Sequence, residues 1–283
     1  MEPESERPAL RCAEWAMEHR VEFGGTAPPC LGFLLIEWPL PWPRDAADVP
    51  ALRGLSERLQ SERIRLQLVQ PVNCSSDGTR VICYRRVAGQ PFGGYLRAEL
   101  TVRGGGRDVV ACVHDLLDTN ASSDSVVSPR SAGSPVDVLV CSHGARDACC
   151  GSKGTDLARR VAAAMSDARE RGARIWRTTH LGGHRFAPTA VTLPDGVVWG
   201  RLDADSLRAI LTRRGDANQI AHLSRGCSGL ESPEAQLLDR ALLAERGWRW
   251  LDTHRSATPP TDGRVVVRAE ASDATGIGDR PGI

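Results

Sequence analysis

Residues 136–144 read Val136-Asp-Val-Leu-Val-Cys141-Ser-His143-Gly144, and residues 174–184 read Arg174-Ile-Trp-Arg-Thr-Thr-His180-Leu-Gly-Gly-His184. Each is a short, largely apolar run that delivers a soft metal donor where the run stops. Between them, Leu157, Val161, Ala164 and Met165 fall on one face of a helix that stops at Gly172. Beyond them, Ala190 to Leu193 and Val197 to Leu202 flank Pro194-Asp195-Gly196, the pattern of a hairpin with its turn. Asp203 is placed to cap a helix that carries Leu207, Ile210 and Leu211 and ends at Gly215.

The order is therefore strand, helix, strand, long loop, hairpin, helix. That is the order of a thioredoxin-like domain whose middle helix is replaced by the histidine loop. Upstream, Leu31 to Trp38 reads as a buried strand, and Leu52, Leu55 and Leu59 lie at helical spacing. Ile64, Leu66 and Leu68 alternate as a strand would, and Arg80 to Arg86 and Tyr95 to Val102 are further strands. From Asp118 to Pro135 the chain is polar and aperiodic, a surface loop or linker between lobes. Ser232-Pro233 opens another helix that runs to Gly247; Trp248 to Leu251 and Val265 to Val267 read as late strands. The tail from Ala271 is Gly-, Asp- and Ser-rich, the composition of a disordered end. The expected fold is α/β in two lobes. Residues 1–130 form an N-terminal α/β lobe, 131–255 the thioredoxin-like β-α-β-loop-β-β-α domain, and 256–283 a partly disordered extension.

A chain of 283 residues can bury a large core, and a formal net charge of +1 gives no electrostatic reason to bind nucleic acid or an anionic membrane. The basic residues are arginine throughout, with Lys153 the one exception. The acidic start, Met-Glu-Pro-Glu-Ser-Glu-Arg, does not read as a secretory signal, and nothing approaches the ~20 apolar residues of a membrane span. A cytoplasmic location is the expectation, where thiols stay reduced. Of the nine cysteines, Cys12, Cys30, Cys74, Cys83 and Cys112 read as small buried hydrophobes.

Cys141 and Cys150 on one loop and His180 and His184 on another make a donor set suited to zinc or to an iron–sulfur cluster. A cysteine at a strand end, before a loop that enters a helix, lies where backbone amides and the helix terminus stabilise negative charge. Gly144, Gly151 and Gly154 allow that loop a close approach. The histidines are spaced i, i+4 as in zinc proteases. However, Gly182 and Gly183 each cost a helix about 1 kcal/mol, and Leu181 occupies the position of the required glutamate. A tight loop that curls two imidazoles around one ion is the better reading. Cys141-Ser-His143 matches the first half of a Rieske ligand set, but the second half is missing. His143 is accordingly expected beside the ligands rather than among them, together with Gly144, Cys149, Gly182 and Gly183.

At these residues the sequence resembles the sucrase/ferredoxin-like family of thioredoxin-like ferredoxins. The matching motifs are Cys141-x8-Cys150-Gly151 with His143-Gly144 and Arg146-Asp147 inside it, His180-x-Gly-Gly-His184-x-Phe186-Ala187, and Trp199-Gly200-Arg201. Gly25-Thr26-Ala27-Pro28 before an apolar strand also fits, so the likeness runs to about residue 240. The resemblance implies a 2Fe–2S cluster held by Cys141, Cys150, His180 and His184, thiolates on one iron and imidazoles on the other. It implies a one-electron carrier, with proton coupling through the imidazoles, rather than an enzyme. The partners would be redox proteins, with a flavin-dependent reductase as donor. Cys149, beside a ligand, departs from the pattern and could compete for iron.

The alternatives are a zinc site with the same donors and a thiol redox protein, although Cys149-Cys150 lacks the Cys-x-x-Cys spacing of the latter. A glycosidase would need two carboxylates across a cleft, and no such pair stands out.

Overall fold

The computed structural model describes residues 12–73, 77–87, 89–118, 135–165, 172–258 and 265–270. They form a mixed α/β fold around one nine-stranded sheet. Its strands are β1 (Gly32–Glu37), β2 (Ile64–Pro71), β3 (Thr79–Arg85), β4 (Leu96–Val102), β5 (Asp137–Cys141), β6 (Arg174–Thr178), β7 (Ala190–Leu193), β8 (Val197–Trp199) and β9 (Ser224–Cys227). They lie in the order β4-β3-β1-β2-β6-β5-β7-β8-β9. The helices are α1 (Cys12–Glu18), α2 (Ser56–Ser61), α3 (Gly106–Asp118), α4 (Thr155–Ala164), α5 (Ala204–Thr212), α6 (Asn218–Ala221) and α7 (Pro233–Arg246). A two-stranded sheet of β10 (His254–Ala257) and β11 (Val267–Glu270) stands apart. Among the described residues no helix is long and apolar enough to cross a membrane.

The central strands read as continuous apolar runs because both faces are covered. On β5, Val138 and Val140 pack with Leu157 and Val161 of α4 and Leu207 and Ile210 of α5. Leu139 and Cys141 point the other way, into a cluster with Phe33, Leu35, Trp176 and Cys227 that joins both halves of the sheet. On the opposite face of β1, Leu34 and Ile36 meet Leu59 of α2 and Val113 of α3. The halves join where β2 pairs antiparallel with β6, Val69 opposite Thr178 and Pro71 opposite Trp176. Buried Gln67 strengthens that seam, accepting from Thr178 Oγ1 at 2.9 Å and Thr179 Oγ1 at 3.1 Å.

Asp137, fully buried at the start of β5, ties the seam to the N-terminal strands. Its carboxylate accepts from Arg174 Nε and Nη2, both at 2.7 Å, from Trp176 Nε1 at 2.6 Å, and from the Tyr84 hydroxyl on β3. Arg174 reaches on to Glu99 of β4 at 2.9 Å. Burial pushes the Asp137 carboxyl up, but the Arg174 fork and the Tyr84 hydroxyl outweigh it and hold the group below the usual carboxylate range.

Several elements differ from the sequence reading. Helices α1, α3 and α6 and strands β9 and β10 were not anticipated. Trp248–Asp252 is a 3₁₀ turn entered through Gly247, not a strand, because the Trp250 indole turns inward to donate to Asp239 Oδ1 at 2.9 Å. The hairpin's second arm stops at Trp199, and β11 begins only at Val267. Leu66 is half-buried while Gln67 is buried, so β2 does not alternate simply. Asp203 does cap α5, accepting from Ser206 N at 2.7 Å, but the helix ends at Arg213 in the left-handed region. Ser232 caps α7 as read, accepting from Ala235 N at 3.1 Å. Cys30 and Cys83 are buried, Cys112 is half-buried and Cys12 is exposed. Cys74, residues 119–134 and the tail from residue 271 lie outside the described residues.

Asp137→Asn should lower stability by about 1.5–3 kcal/mol in urea denaturation, because it removes charged hydrogen bonds at a fully buried position and leaves half-buried Arg174 with Glu99 alone as counter-charge. The parent carboxyl has a depressed pKa, so its contribution is complete above the unfolded value and is lost as the pH falls through the folded one. Below about pH 4 the parent should therefore lose stability more steeply than the Asn variant.

Candidate metal centre

Strand β5 ends at Cys141, whose amide donates to Thr189 O at 3.0 Å, and Ser142 N returns to Thr178 O at 3.0 Å. The chain then turns back through His143-Gly144. Asp147 closes the turn: its Oδ1 accepts from Cys149 N at 2.8 Å and Cys150 N at 3.2 Å, the side-chain cap of the helical segment that follows. Cys150–Gly154 is a single π-helical turn that runs into α4. Two glycines allow the two limbs to touch. A Cβ on Gly151 would lie 2.6 Å from Gly144 Cα, and one on Gly154 would collide with the carbonyl of Cys141. That closeness brings the Cys150 thiol to Cys141.

The histidine loop leaves β6 at Thr178. His180 is held from behind: its N–H donates to His143 Nδ1 at 3.2 Å, and His143 Nε2 faces Pro43 O at 2.8 Å. Those two contacts require the tautomer with the proton on Nε2. Burial pushes the His143 pKa down, which keeps the ring neutral. Gly182 (φ +88°) and Gly183 (φ +73°) then take left-handed backbone that side chains rarely adopt, and His184 opens a 3₁₀ turn over buried Phe186.

The ligand atoms of Cys141, Cys150 and His180 lie within 4.8 Å of one another. His180 Nδ1 faces both sulfurs, at 3.9 Å from Cys141 Sγ and 4.0 Å from Cys150 Sγ. This Cys/Cys/His group can bind a metal. His184 stands outside it, with its ring centroid 6.1 Å from that of His180. Cys149 is buried against Ala13 of α1 and Ala187, and His143 serves the backbone of His180 instead of joining the donors. The two thiols are unequal. A hydrogen bond from Cys150, then one from His180, holds the Cys141 thiol well below the ordinary range; the same bond and burial push Cys150 up. One proton is thus retained between two sulfurs that would otherwise repel as thiolates, and a cation that displaces it removes the conflict.

The family model described as sucrase/ferredoxin-like matches residues 24–226, well over half of the chain. The chain belongs to the sucrase/ferredoxin-like family. Searches of curated proteins and of solved structures each returned no match. The span shared with the sucrase/ferredoxin-like family takes in both donor loops, the Gly25–Pro28 segment and, near its end, Arg225. Arg225 was absent from the sequence reading, as was Arg65. Both are single arginines in an arginine-rich chain, and only the sheet shows that they converge under the histidine loop.

Cobalt(II) titration of the metal-free protein tests the donor group through thiolate charge-transfer absorption. Cys141→Ser and Cys150→Ser should abolish the band, and Cys149→Ser should retain it. His143→Ala should weaken affinity by about 10–100-fold, the usual cost of losing a group that orients a ligand.

Proposed function

We propose that this protein is a one-electron carrier, its 2Fe–2S cluster held by Cys141, Cys150, His180 and His184. The carrying observation is the convergence of two thiols from the β5 loop and an imidazole from the β6 loop, with a second imidazole set apart on the same short loop. A centre of two metal atoms occupies more room than one ion and accommodates a donor displaced from the other three. The strand order β6-β5-β7-β8, with β7 antiparallel to β5, supports the thioredoxin-like reading of this half.

When bound, such a cluster supplies reversible one-electron chemistry, at roughly −150 to +300 mV for two-histidine ligation against about −400 mV for plant-type four-cysteine centres. The protein's residues provide the rest. Cys141 and Cys150, both buried, supply thiolate away from water. Leu181 and Phe186, also buried, close the inner side of the histidine loop. His180 is half-buried and lines two small surface hollows of about 130 and 280 Å³, so its outer side is the natural point of electron entry. A flavin-dependent reductase is the donor proposed. With Nδ1 toward the sulfurs, His180 keeps Nε2 free to carry a proton, and His184 likewise retains one ring nitrogen.

Anaerobic purification should give brown protein with iron and acid-labile sulfide in equal amounts; colourless protein with zinc would overturn the reading. His180→Cys and His184→Cys should each lower the midpoint potential through added negative charge. Between the proton affinities of the oxidised and reduced states, the potential should fall by about 59 mV per pH unit. A flat profile from about pH 6 to 10 would remove the imidazoles from the electron step.

A further inference from the structure

Two arginines lie under the histidine loop with no carboxylate among the described residues to answer them. Arg65, on β2, donates from Nη2 to Leu181 O at 3.0 Å, and its Nη1 is shut from solvent with no hydrogen-bond partner. Arg225, on β9, is only 3% exposed. It donates from Nη1 to Gly182 O at 2.8 Å, from Nη2 to Thr26 O at 2.7 Å and from Nε to Thr26 Oγ1 at 3.1 Å. Consecutive carbonyls of the loop that joins the two histidines are thus each held by a guanidinium. Among the described residues neither arginine forms an ion pair with an aspartate or glutamate.

The groups close enough to act on them are few. Arg65 feels Cys30, Tyr95 and Cys141; Arg225 feels Arg65, Arg185 and Cys141. Burial pushes Cys30 and Tyr95 up, so both stay protonated and neutral. Among the described residues that leaves Cys141, a ligand whose charge belongs to the centre itself, and it is shared by both arginines. Burial also pulls both guanidiniums down, Arg225 to about 10, which still leaves it charged at neutral pH. Buried Arg225 and half-buried Arg65, whose Nη1 is shut from solvent, thus bring two like charges to one loop with no carboxylate beside them among the described residues, which is costly where water is largely excluded.

The charge of the centre decides what answers them. Two thiolates and two neutral imidazoles around one zinc(II) sum to zero. The same four ligands around two iron(III) and two sulfides also sum to zero, and one added electron, taking one iron to iron(II), makes −1. Net negative charge arises only on reduction. We infer that Arg65 and Arg225 are the built-in counter-charge of the reduced centre, raising its midpoint potential and drawing the electron to it. This rests on the electron-carrier reading and adds to it how the protein sets the driving force.

The test uses the full chain carrying iron and sulfide, titrated with dithionite as reductant in a spectroelectrochemical cell. Arg65→Gln and Arg225→Gln should each shift the midpoint potential downward, and the double variant further. Arg65→Lys and Arg225→Lys should remain near the parent, because lysine keeps the charge while it loses the planar fork. The shift at Arg225 should survive raised salt, since a buried charge is weakly screened. If lysine and glutamine displace the potential alike, or neither does, the arginines only anchor the loop and the inference fails while the carrier reading stands. A parent without iron and sulfide would instead overturn the carrier reading. The two positions are read independently, so a variant that does not fold at one leaves the other to decide.

Discussion

Three residue pairs of antiparallel sheet, Val69–Pro71 against Trp176–Thr178, determine how the centre can be built. They continue the N-terminal strands into the strands that bear the donors, so the histidine loop leaves β6 directly over β2. From that follow the contacts that shape the site. Arg65, one residue after the start of β2, reaches Leu181 O; Thr179, just past β6, is fixed by Leu68 and Gln67. Pro43, between β1 and β2, receives His143, which in turn holds the amide of His180. The donors all come from the second half of the chain, but what orients them comes in good part from the first.

The fold treats its buried charges in two ways. Asp137 is answered completely, by the Arg174 fork, the Trp176 indole and the Tyr84 hydroxyl, and so works as a rigid joint across the sheet. Arg255 is likewise fully buried and set on Asp239 at 2.9 Å. Arg65 and Arg225 are the contrast: they spend their hydrogen bonds on carbonyls and one hydroxyl, which satisfy geometry without cancelling charge. These partners are dipoles, and a cation largely shut from water and resting on dipoles alone remains a source of positive potential. The potential is therefore a property of the loop on which the histidines sit.

The legible parts of the chain are those where a local rule decides. β5 and β6 are short β-rich runs covered on both faces, and Asp203 and Ser232 announce their helices by side-chain caps. The donor loops stood out because cysteine and histidine flank glycines that permit few conformations. Other parts were decided by tertiary contacts. In α3 the spacing of Val109, Val113 and Leu116 was present in the sequence, but the preceding glycine run and the polar stretch after it hid the helix. Trp248-Arg-Trp-Leu alternates like a strand, yet Gly247 and the pull of Asp239 on Trp250 fold it into a turn. The direction of Cys149 toward Ala13 depends on α1, which no periodicity signalled. The two arginines under the histidine loop were invisible for the opposite reason: in a chain whose cations are nearly all arginine, the residue type carries no information.

His184 shows how closely anchoring and electrostatics are joined here. A Cβ on Gly183 would lie 2.7 Å from the Arg225 guanidinium, and the residue's positive φ already excludes most side chains. The diglycine therefore does more than allow a tight bend; it lets a cation press against the backbone just before His184. Arg225 consequently sets both where that imidazole begins and the field in which it sits. Removing the side chain would change both at once. Lysine in its place would retain the charge while giving up the fork that grips Thr26 and Gly182, which is why the charge-keeping and charge-removing replacements must be compared at this position and not either one alone.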